Sequence, residues 1–72
     1  METAWRISIA SPPDREHLVA EIFFGYAQWA EINQEGNVPE IEFYPRPDGK
    51  PWRLSLEDAL AAIKEARTRL GV

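Results

Sequence analysis

Glu40 and Glu42 stand two residues apart in the alternating run EIEFY. On a strand both carboxylates project from one face about 7 Å apart, a separation that suits paired acid–base groups or a hard cation. The same pattern is how a strand keeps one side solvated and discourages edge pairing, and no metal ligand is assigned on it. His17 is the single histidine and the chain has no cysteine. With no serine in a nucleophile motif near it, His17 enters no catalytic triad by spacing. Asp48-Gly49-Lys50 resembles the end of a phosphate loop but lacks the upstream glycines and the Ser or Thr after the lysine, so it reads as a turn. No catalytic residue and no cofactor is assigned, and the chain is not expected to be an enzyme.

The remaining candidates are surfaces. Arg46, Lys50 and Arg53 gather around one turn, yet the chain carries a net charge of −4, with Arg6 and Arg15 the only bases of residues 1–36. This balance disfavours nucleic acid as a partner, and the three bases are read as a solvated turn. Trp5 and Trp52 fit core positions by alternation. Phe23, Trp29 and Tyr44, with Val19, are expected on the outer sheet surface, where an exposed aromatic patch marks an interface. The reading is a protein–protein interaction module, self-associating as a homodimer through these anchors. The alternative is a small-molecule or ion-binding protein using the acidic face of Glu21, Glu31, Glu40 and Glu42.

These residues must be positioned by a fold, and residues 39–71 define most of it. Ile41 and Phe43 alternate with Glu40, Glu42 and Tyr44, giving a strand with Ile41 and Phe43 toward the core. Arg46-Pro47-Asp48-Gly49 has the residues of a tight turn, and Trp52 and Leu54 flank Arg53 in a short return strand. Ser55 is placed to cap a helix, Glu57 and Asp58 suit its positive first turn, and Lys64, Arg67 and Arg69 suit its negative end before Gly71. Leu56, Ala59, Leu60, Ile63, Ala66 and Leu70 form one stripe at three-to-four spacing, so this helix lies on the sheet with Leu60 in the core.

The N-terminal half is less determined. Trp5, Ile7 and Ile9 alternate with Arg6 and Ser8 as a first strand. Residues 14–35 read either as a helix striped by Leu18, Ile22, Tyr26 and Trp29, or as a hairpin turning around Gly25 with Leu18, Ala20, Ile22 and Phe24 on one face and Ala30 and Ile32 sharing the face of the returning strand. The run VAEIFFGYAQWAEINQEGNVPEIEFYPRPDGKPW, with the amphipathic helix after it, resembles a small uncharacterised bacterial family that reads strand, strand, strand, strand, helix. In that family the segment matching Gly25-Tyr26-Ala27-Gln28 looks like a hairpin turn, so the resemblance implies the hairpin, a fold and no activity. The expectation is one α+β domain over residues 1–72: an antiparallel sheet of four to five strands with one C-terminal helix on a face, the alternative being three strands with two helices.

Length and composition bound the rest. A chain of 72 residues buries only about 60% of its unfolded surface, so additional support from a partner is expected. No apolar run approaches the length of a membrane span, no signal-peptide pattern opens the chain and no disulfide framework is available, which together point to the cytoplasm.

Overall fold

The computed structural model describes residues 5–72. Four strands, β1 (Trp5–Ala10), β2 (Val19–Phe24), β3 (Ala27–Asn33) and β4 (Glu40–Phe43), precede one helix, α1 (Leu56–Leu70). The strands form one antiparallel sheet in the order β1-β2-β3-β4. The α+β class and the hairpin reading of residues 14–35 are therefore both present. Gly25, at φ 63°, occupies the first position of the two-residue β2–β3 loop, where a hairpin with right-handed twist needs a positive φ.

Register decides which side chains share a face. Ile7 lies opposite Ile22, Ile9 opposite Ala20, Ala20 opposite Ile32, and Ile32 opposite Ile41, so this row is the helix side of the sheet. Between Ile22 and Phe23 the register with β3 shifts by one residue: Ile22 faces Ala30 and Phe23 faces Gln28. The unpaired residue is Trp29. Such a bulge inserts one residue into a strand and redirects its side chain. Trp29, expected on the outer surface, is consequently in the core at 8% exposure. Its ring meets Phe24 and Phe43 edge-on, each at a centroid distance of 5.3 Å, a favourable aromatic geometry.

α1 begins at Ser55, whose Oγ accepts the Asp58 N–H at 3.0 Å, and ends at Gly71, left-handed at φ 84°, whose N–H donates to the Arg67 carbonyl at 2.8 Å. Ala62 and Ala66 are fully buried, which lets the helix axis approach the sheet closely. Trp5 Nε1–H donates to Glu65 Oε1 and Arg69 Nη1–H to the Ile7 carbonyl, both at 3.0 Å, so polar contacts also fix the helix to β1. The expected return strand at residues 52–54 does not form. Trp52 instead anchors the β4–α1 connection by donating from Nε1 to the Tyr44 carbonyl at 2.8 Å. The turn before it is as expected, with the Gly49 N–H bonded to the Arg46 carbonyl at 3.0 Å and Gly49 at φ 76°. No helix among the described residues is long and apolar enough to cross a membrane.

Candidate functional site

The two faces of the sheet are covered differently. On the outer face, the β1–β2 loop folds back and is tied down by charge and hydrogen bonds. Arg15 reaches the buried Glu31 carboxylate, Nη2 to Oε2 at 2.8 Å, and Glu42 at 3.3 Å. The 2.8 Å contact is an ion pair rather than an aligned hydrogen bond, since Oε2 accepts no hydrogen bond of good geometry. Tyr44 O–H donates to Glu31 Oε1 at 3.2 Å. Burial, and then the adjacent Glu31 and Glu42 charges, push the Tyr44 phenol up to about 12, so it stays a proton donor across the neutral range. Burial alone would pull the Arg15 guanidinium down, but Glu31, Glu42 and Asp14 outweigh it and raise its pKa further. Glu35 accepts the backbone N–H groups of Glu16 at 3.0 Å and His17 at 3.2 Å, and the Glu16 bond is the main cause that holds its carboxyl below the usual range. Gln34 Nε2–H completes the lashing by donating to the Leu18 carbonyl at 3.0 Å.

This network gives the outer face a structural role. Tyr44 points its hydroxyl inward to Glu31, and Phe23 lies under the Arg6 guanidinium, 4.3 Å from the ring centroid. The three aromatics expected to form one patch are therefore separated: Phe23 and Tyr44 are half-buried on the outer side and Trp29 is in the core on the other. The four acids of the acidic face are not alike either, because Glu31 is buried against Arg15 and Tyr44 while Glu40 and Glu42 are exposed. Among the described residues no group of three or more His, Cys, Asp or Glu is arranged to hold a metal ion.

On the helix side, coverage stops short of β4. A sheet of four strands is about 19 Å wide and a helix about 10 Å across, so one helix shields about two strands. α1 packs on β1 and β2. The inner face of β3 is buried as well, through Trp29, Ala30 and Ile32, and that of β4 is left beside it as the floor of a trough. Phe43 is 56% exposed and Ile41 36%, and the flank of α1 that overlooks them exposes Leu56 at 73% and Leu60 at 59%. These are corrections to the expectation that Ile41, Phe43 and Leu60 are core. They face the core side by register, but no layer closes over them. A depression of about 320 Å³ lies between Ile32, Ile41, Pro39 and Glu40 on the sheet and Ile63 and Arg67 on the helix. It adjoins a second, of about 390 Å³, that shares Ile63 and Arg67 and extends past Leu60 and Lys64.

Two features of these faces escape a reading by period alone. A stripe at three-to-four spacing cannot show which of its residues meets the sheet and which overhangs its side. The signal available was the run of small residues, Ala59, Ala62 and Ala66, which marks the line of closest approach and leaves Leu56 and Leu60 to one flank. Arg15 gave no signal at all, since its partnership with Glu31 depends on where a loop folds.

No family model matches the chain, and no curated protein or solved structure matches it.

Proposed function

We propose that this chain is a non-enzymatic protein–protein interaction module whose docking surface is the trough between α1 and β4. The observation that supports the reading is the uncovered rim of the sheet: Ile41 and Phe43 on β4 and Leu56 and Leu60 on α1 are apolar and open to water, on a chain of 72 residues. Contiguous apolar area rimmed by polar residues marks interaction sites. The interface aromatic of this surface is Phe43, in place of the separated set Phe23, Trp29 and Tyr44.

Crosslinking in the native host tests the reading. A photoreactive amino acid at position 60 or 43 is expected to give a discrete crosslinked protein product, and one at the solvated turn position Lys50 is expected to give none. Absence of a product from both trough positions, in a chain that remains folded, would remove the proposal.

A further inference from the structure

Resting on that reading, we infer that the trough receives an amphipathic α-helix of a partner protein, bound with an acidic flank against α1. Three observations select this occupant. The first is shape. The uncovered strip is β4, where Ile41 and Phe43 are exposed, and it runs alongside the 15-residue α1 with a depression between the two, a groove that takes the apolar face of one helix. A helix laid there would complete the second layer as α1 does over β1 and β2.

The second observation concerns the strand edge, which excludes the main competitor. The Tyr44 N–H donates to the Trp29 carbonyl at 2.9 Å, and this sets the phase of the β3–β4 ladder. Glu40, Glu42 and Tyr44 direct their backbone groups to β3, while Ile41 and Phe43 direct theirs outward. The open edge is thus two residues long. It is bounded by Pro39 and Pro45, which donate no hydrogen bond, and carries Glu40 and Glu42. Short length, proline and charge are the devices that keep a sheet edge from adding a strand. The apolar surface is on the face, the edge beside it is guarded, and the occupant therefore lies across the face.

The third observation is charge. Arg67 lines the depression between α1 and β4 and Lys64 the adjoining one along α1, and neither has an ion-pair partner among the described residues. Carboxylates on the near flank of an incoming helix would pair with both. A second copy of this chain fits poorly, because its one described helix already buries its apolar line of Ala62 and Ala66. The side of that helix away from the sheet is mixed, with Glu57 and Thr68 beside Leu60, all exposed.

Two synthetic helical peptides of four turns test the inference. Both carry leucine at i, i+3, i+4 and i+7, one has glutamate on both flanks and the other lysine, and binding is read by fluorescence anisotropy. Long-range attraction to a chain of net charge −4 favours the lysine peptide, so a preference for the glutamate peptide reports the local pair Lys64 and Arg67. The expected preference is about tenfold, from two exposed ion pairs made rather than two repulsions. Arg67→Glu with Lys64→Glu is expected to reverse it, and Leu60→Asp to abolish binding of both peptides, each variant being checked for wild-type circular dichroism. Equal or lysine-favouring affinity, or no binding of either peptide at millimolar concentration, overturns the helical acidic occupant. So does tighter binding of a strand-forming peptide at Ile41 and Phe43, or sedimentation as a dimer that Leu60→Asp dissociates. In each of those cases a crosslinked product from position 60 in the host would leave the interaction module standing, and its absence would remove both.

Discussion

Replacing Leu60 by alanine separates this architecture from one in which α1 sits centrally on the sheet. Full burial of a leucine contributes about 2 kcal/mol, and a leucine deleted from a tight core costs about 2 to 5 kcal/mol once the cavity is included. Leu60 is 59% exposed, so roughly two-fifths of that burial is present, or about 0.8 kcal/mol. No closed cavity is left on the open side of the trough, and alanine is at least as good a helix former as leucine. The expected loss is therefore about 1 kcal/mol or less. Ile22, on the same side of the sheet but fully buried, should cost about 2 to 5 kcal/mol when cut to alanine. Urea denaturation of the two variants and the wild type, at low micromolar concentration and without partner, gives the comparison directly. For a domain of this size each 1 kcal/mol corresponds to about 4 to 8 °C in Tm, so thermal melts provide a second reading. A Leu60→Ala loss equal to that of Ile22→Ala would show that Leu60 is a core residue and that the trough does not exist.

Other consequences follow from the polar contacts. The Glu35 carboxyl is held below its usual range by the Glu16 N–H, so its stabilising effect is complete above its unfolded pKa and is lost as the pH falls through its folded one. The stability gap between wild type and Glu35→Gln should accordingly be largest near neutrality and close on acidification, as followed by urea melts from about pH 6 to about pH 3. Tyr44 behaves with the opposite sign: its pKa of about 12 lies above the unfolded value, so its contribution is whole below about pH 10 and is lost as pH rises toward the folded value. Ultraviolet titration in a Tyr26→Phe background should find this late ionisation, and Glu31→Gln should bring it lower. Ser55→Ala removes the acceptor of the Asp58 N–H and should cost about 1 kcal/mol, measurable by thermal melting.

The legible parts of the chain are those governed by local chemistry. Ser55 and Gly71 bound the helix because only their side-chain acceptor and left-handed φ satisfy its ends, and both are visible as residue types. The period-two runs of β1 and β4 are equally visible. The hairpin of residues 19–33 is less so, since Phe23, Phe24 and Tyr26 suit either period, and the turn depends on Gly25 alone taking a positive φ. Trp29 shows where alternation fails: one inserted residue moved the largest side chain of β3 to the opposite face, and nothing in the run AQWAEIN marks a bulge. Leu56 and Leu60 show a second limit. Hydrophobic period gives the side of an element that prefers to leave water, whereas the lateral position of α1 over β1 and β2 is set by its fit to neighbours distant in sequence. The trough is a product of that position, which strand alternation does not encode, so alternation points instead to Phe23, Trp29 and Tyr44 on the other face.

The uncovered inner face of β4 is the premise of the interaction proposal, and solvent accessibility of individual methyl groups measures it. In a methyl-labelled sample of the isolated chain, a soluble paramagnetic agent should strongly relax the methyls of Leu56, Leu60 and Ile41 and leave those of Ile7, Ile22 and Val19 shielded, in line with their exposures. Leu56 and Leu60 methyls as protected as those of Ile22 would contradict the account, because α1 would then close over β4 and leave no surface for a partner to cover.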